Sequence, residues 1–78
     1  MKMEIKKFVK EFADQFDETD ISEFSNNTIF KKLDEWSSLM ALSIICMIDE
    51  EYDVIVNGDA IINSDTIQDL FNLVKTKI

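Results

Sequence analysis

Two adjacent hydroxyls, Ser37 and Ser38, stand where an irregular stretch gives way to a long apolar-periodic run that reaches Tyr52. A serine at a helix start meets unpaired backbone N–H groups and the positive end of the macrodipole. It can cap the helix, or it can carry an attached anion such as a phosphate. Few other side chains could do chemistry. There is no histidine, which removes the commonest general acid/base, the commonest metal imidazole and any serine–histidine triad. The run Asp49-Glu50-Glu51-Tyr52-Asp53 is acidic enough to suggest calcium, but it falls on a predicted helix and lacks the alternating ligands and central glycine of an EF-hand loop. A solvated acidic face accounts for it better. Gly58, the one glycine, cannot build a phosphate-cradling loop, which needs several glycines and a following lysine. Cys46 has no basic neighbour in sequence to activate it and reads as a small hydrophobe on a helix. The residues therefore predict no catalytic constellation and no metal site, and the chain is not expected to be an enzyme.

Composition sets the remaining bounds. A chain of 78 residues is expected to form a single domain, residues 1–78, near the size at which a hydrophobic core alone can offset chain entropy. Hydrophobic residues make up 46% of it, with Phe, Ile and Leu recurring throughout, which is enough to build a core instead of remaining disordered. A single cysteine allows no internal disulfide and no thiolate zinc cluster, and this fits the cytoplasm. The formal net charge is −8, from 16 acids against 8 lysines with no arginine. Nucleic acid needs cations to displace its counterions and usually arginine forks to read guanine, so it is excluded as a partner class. Partners with basic surfaces are expected instead. Residues 1–12 mix lysines and glutamates with isolated apolar residues, so neither a signal peptide nor a membrane span is predicted there.

Four elements must position the serine pair. From residue 2 to residue 16, Ile5, Phe8, Val9, Phe12, Ala13 and Phe16 recur on one helical face. Residues 17–37 lose that period, and read as a long connection held by buried side chains among Ile21, Phe24, Ile29, Phe30 and Leu33. A loop of that length argues against a compact domain unless it is functional. A second helix is predicted over residues 38–53 with Ser37 as its cap. Its Ala41, Ile44, Ile45, Ile48 and Tyr52 form an inner face. Leu39, Met40, Ser43, Cys46, Met47 and Glu50 are assigned to the outer face, with Leu42 between. Apolar residues on an outer face suggest docking. Residues 57–62 form a short helical turn, and Ser64 or Asp65 caps a final helix bearing Ile67, Leu70, Phe71 and Val74, with Ile78 near its end. The fold expected is all-α, a bundle of three main helices plus one short helix.

The stretch Leu33-Asp34-Glu35-Trp36-Ser37-Ser38-Leu39, followed by Ala41-Leu42 and then by Asp49-Glu50-Glu51-Tyr52-Asp53-Val54, resembles the attachment region of acyl carrier proteins. The order and lengths of the elements, including the long first loop, resemble that family over nearly the whole chain. The resemblance implies that Ser38, immediately before leucine, carries 4′-phosphopantetheine transferred from coenzyme A by a separate magnesium-dependent phosphopantetheinyl transferase. The arm's thiol would hold acyl groups as thioesters and present them to acyl-transferring or condensing enzymes of fatty-acid, polyketide or specialised lipid biosynthesis. It also implies that a cargo chain could shelter against Ile44, Ile45, Ile48, Phe71 and Val74. A monomer is expected.

This sequence departs from the family pattern at several positions. Ser37 stands where an aspartate normally precedes the modified serine, and Met40 and Ser43 stand where many fatty-acid carriers place acids. Docking would then combine apolar contact through Leu39, Met40 and Met47 with acidity from Asp49 and Glu50, against partners that are both basic and apolar. Trp36 could pack over the loop or touch a partner, and packing is the commoner fate of such a residue. Both serines could also be ordinary caps. Two other readings follow: an unmodified helical adaptor using the same apolar face, and an aminoacyl or peptidyl carrier.

Overall fold

Phe8 and Phe12, one helical turn apart, have no solvent exposure, and they define the inner face of the first helix. The structure, a computed structural model, describes residues 4–78. Helix α1 is Ile5–Ala13, α2 is Ser38–Tyr52, α3 is Gly58–Ile62 and α4 is Ile67–Lys75. Among the described residues there is no strand, and the chain is a small all-α bundle. Helix α1 is shorter than the predicted span of residues 2–16. Residues 2 and 3 of that span lie outside the described residues. At the other end the helix tightens, with the Gln15 and Phe16 N–H groups donating to Phe12 O and Ala13 O at 3.2 and 3.0 Å. That tight turn still delivers Phe16 to the core.

The core is aromatic at one end and aliphatic at the other. Phe12 lies 5.4 Å from Phe30 and 5.8 Å from Phe16, ring centre to ring centre, while Phe8 meets Phe71 edge-on at 5.5 Å. Ile44 and Ile48 of α2 and Ile67, Leu70 and Val74 of α4 complete the sealed interior. Such ring pairs add specific geometry to the burial that drives collapse. Helices α1 and α2 are also joined by a polar clasp. The Tyr52 hydroxyl donates to Glu11, whose other carboxylate oxygen takes Lys7 at 2.8 Å. Burial, reinforced by that carboxylate, pushes the Tyr52 hydroxyl far above its ordinary range, so it remains a donor.

The long connection is folded, held by buried side chains and by hydrogen bonds to distant parts of the chain. Phe24 and Phe30 are buried, and Leu33 packs partly against the core. Ile21 and Ile29, the other apolar candidates in the connection, are 61% and 42% exposed. Two 3₁₀ turns, Ile21–Glu23 and Phe30–Lys32, shape the connection, and the second starts at the buried Phe30. The loop also satisfies the start of α4, since Ile67 N–H donates to Thr28 O at 3.2 Å and Gln68 N–H to Asn26 O at 2.9 Å. An isolated antiparallel bridge pairs Ile29 with Thr66 beside them. These carbonyls serve donors that every helix N-terminus leaves open.

Helix α4 is capped by Thr66, not by Ser64 or Asp65. The Thr66 hydroxyl accepts from Asp69 N–H at 3.1 Å and the Asp69 carboxylate accepts from Thr66 N–H at 3.1 Å, a reciprocal capping box. Ser64 is unavailable because its buried hydroxyl donates to Ala60 O at 2.8 Å, closing the end of α3. Asp65 contributes its N–H to the same Asp69 carboxylate at 3.2 Å. Thr66→Ala is expected to cost about 1 kcal/mol, read as a shift in the urea midpoint with unchanged slope. Ile78, at the end of the chain, is 52% exposed and lies beyond α4.

Candidate functional site

The two hydroxyls of the serine pair are placed differently. Ser37 is extended, with φ −158° and ψ 173°, and its hydroxyl accepts from Met40 N–H at 3.3 Å as the cap of α2. Its carbonyl accepts from Ala41 N–H at 3.0 Å, the first bond of the helix. Ser38 is the first helical residue and is exposed, and its side chain makes no hydrogen bond among the described residues. No acidic side chain occupies the first turn of α2, so nothing there opposes a negative charge on Ser38. A phosphodiester fits these surroundings, since the hydroxyl is accessible, unengaged and at the end of the helix that favours an anion.

What brings Ser38 to this position is an aromatic stack beneath it. Trp36 packs at 4.9 Å on Phe30 and at 6.4 Å, nearly parallel, on Phe16. Its backbone N–H donates to Leu33 O at 3.0 Å. Trp36 therefore anchors the loop, as its sequence context suggested. Glu35 adds a clamp that sequence reasoning missed. Its carboxylate accepts from Thr19 Oγ1 at 2.7 Å and from the N–H groups of Asp17 and Glu18 at 3.0 and 3.1 Å, tying the end of the loop to its beginning. The Thr19 hydroxyl above all, with those backbone donors, holds the Glu35 carboxyl below the ordinary glutamate range. Because the folded value is lowered, the clamp's contribution is complete above the ordinary range and is lost as pH falls through the lowered value. The Asp17 and Glu18 amide shifts are expected to share one titration step in NMR with a midpoint below that of free glutamates, and to lose that shared step in Glu35→Gln. A midpoint in the ordinary range would contradict the clamp.

Beside Ser38 opens a groove of about 730 Å³, lined by Lys31, Trp36, Ser37, Ser38, Ala41, Leu42, Ile45, Gly58, Ile61 and Ile62. Its walls are the N-terminal half of α2, helix α3 and the loop residues Lys31 and Trp36. Helix α3 is set in place by Asn57, whose side-chain oxygen accepts from Asp59 and Ala60 N–H at 3.1 and 3.4 Å. The groove corrects the cargo surface expected from sequence. Ile44, Ile48, Phe71 and Val74 belong to the sealed core, and of that set only Ile45 lines the groove.

The outer face of α2 is corrected as well. Leu39 is 72% exposed, and Asp49 and Glu50 are exposed near the other end of the helix. Met47, expected on the docking face, is only 4% exposed and belongs to the core, while Met40 is half-buried against it. The helical period explains both. Centred on Ile44, which has no exposure, Met47 lies about 60° and Met40 about 40° around the helix, whereas Leu39 lies about 140° and Leu42 about 160° away. Leu42, at 55% exposure, therefore takes the place assigned to Met47. Helix α2 ends at Asp53, whose left-handed φ of 55° turns the chain toward α3. Cys46 is exposed and unpaired among the described residues, and no group of three or more acidic or sulfur ligands able to hold a metal is found among them. No described helix is long and apolar enough to cross a membrane. No protein-family model matches the chain, and no curated protein or solved structure matches it significantly.

Proposed function

We propose that the chain is an acyl carrier, bearing 4′-phosphopantetheine on Ser38 and delivering acyl groups to partner enzymes. The observation that carries the reading is the division of labour in the serine pair. Ser37 spends its hydroxyl on the helix cap, and Ser38 presents a free one at the same helix end. The groove against Ser38 supports it further, because a mainly apolar cleft beside the attachment point gives a hydrocarbon cargo somewhere to leave water. Bound there, the arm would supply a thiol that holds the cargo as a thioester. The chain's own residues would fix where the arm is rooted and which surfaces surround it. Leu39 and Leu42, with the exposed acids Asp49 and Glu50, would meet partners whose docking surfaces are apolar and basic. Met47 is left out of that surface by its burial.

Incubated with coenzyme A, magnesium and a broad-specificity phosphopantetheinyl transferase, the chain is expected to gain the mass of one arm. An unchanged intact mass would overturn the reading. It would favour the unmodified adaptor, for which the exposed Leu39 and Leu42 are the supporting observation. A cytoplasmic setting, a monomeric state and a place in lipid, polyketide or peptide assembly belong to the same proposal.

A further inference from the structure

Lys31 is the one charged side chain on the wall of the groove beside Ser38, among the described residues. It comes from the loop, reaches toward α3 and donates its ammonium to Ile62 O at 2.6 Å. Its base is fixed, because the preceding residue, Phe30, is fully buried. The ammonium sits 5.9 Å from that ring's centre. Lys31 is therefore a strap from the loop to the last residue of α3, across a cleft whose other walls are mostly apolar.

A lysine ammonium has three N–H donors, and Ile62 O is the one hydrogen-bond partner Lys31 has among the described residues. Solvent serves the others while the groove is open. A plain hydrocarbon laid along the groove would strip that water and offer nothing in return, which penalises the ammonium. A chain carrying an oxygen acceptor would replace the lost water, and an anionic oxygen would do so most strongly. The protein as a whole carries −8 and repels anions at long range, so any preference for an anionic oxygen must arise locally.

We infer that the groove selects an extended aliphatic chain bearing a carboxylate, read by Lys31, over an uncharged chain of the same length. This names a cargo class for the proposed carrier and rests on that reading only for how the chain is delivered. It is testable on the unmodified protein with free probes, using the fluorescence of Trp36, the single tryptophan and a groove residue. Decanoate is expected to bind roughly tenfold tighter than decanol, the size of one net charge-assisted hydrogen bond, with decylamine weakest. Lys31→Met is expected to erase the gap between decanoate and decanol, and Lys31→Arg to preserve it. Amide shifts in α3 should follow the same order and show that both variants remain folded. Equal binding of decanoate and decanol, a gap that survives Lys31→Met, or no response to any probe up to its solubility would overturn the inference. Failure of arm transfer to Ser38 would leave these affinities untouched, so the two ideas fail separately.

Discussion

Ser38→Ala abolishes the transferase-dependent mass gain, and Ser37→Ala leaves it intact; this paired result is the largest functional effect expected of the chain. The two residues are adjacent, so a surface recognised only by neighbourhood would not distinguish them. Their hydroxyls are not equivalent, however. Ser37 lies outside the helix with its oxygen on Met40 N–H, and removing it should cost about 1 kcal/mol of stability, or roughly 4–8 °C in melting temperature for a domain of this size. Ser38 is inside the helix, exposed and unengaged, so its replacement by the better helix former alanine should leave stability almost unchanged. The expected pattern is a crossed one: Ser37→Ala melts earlier but is modified to completion, and Ser38→Ala melts normally but is not modified. Intact mass spectrometry and a thermal melt on the same samples read both. Undiminished modification of Ser38→Ala would remove the attachment site from Ser38, whatever the stability data show.

How much of this was legible in the sequence depends on the range over which each interaction acts. Periodicity over ten or more residues places α1, α2 and α4, because an amphipathic face is a local property of the chain. The cap at Ser37 is legible for the same reason. What pins the loop is not local. Glu35 reaches back to Asp17, Glu18 and Thr19, and the carbonyls of Asn26 and Thr28 meet amides of α4 about forty residues on. No periodicity reports such pairs, so Ile21 and Ile29 could not be told apart from Phe24 and Phe30 by residue type. Met47 is a different case. The period was right and its phase was not, since the core face centres on Ile44 and extends to Met47. The groove, assembled from the loop, α2 and α3, has no signature in any single segment, and neither does the strap from Lys31.

Phe30→Ala should remove most of the protein's stability, although it lies in what the sequence presents as a loop. The ring has no exposure, faces Phe12 at 5.4 Å and supports Trp36 at 4.9 Å. Truncating a buried phenylalanine costs about 3–5 kcal/mol, from lost transfer energy plus the cavity left behind. Small domains sit at the low end of the usual range of roughly 5–15 kcal/mol, so this one substitution consumes most of the margin. The melting temperature should fall by roughly 15 °C or more, at the 4–8 °C per kcal/mol typical of this size. Ile29→Ala is the control, one residue away and 42% exposed, for which a change within about 1 kcal/mol is expected. Comparable losses in both variants would mean that the segment acts as a tether and not as part of the core. If Phe30→Leu, which keeps much of the volume, retains a cooperative melt, its tryptophan emission becomes a further readout. Trp36 rests on this ring and lines the groove. A loosened Phe30 should therefore redden that emission before the helices melt, because the loop that completes the core also forms one wall of the groove.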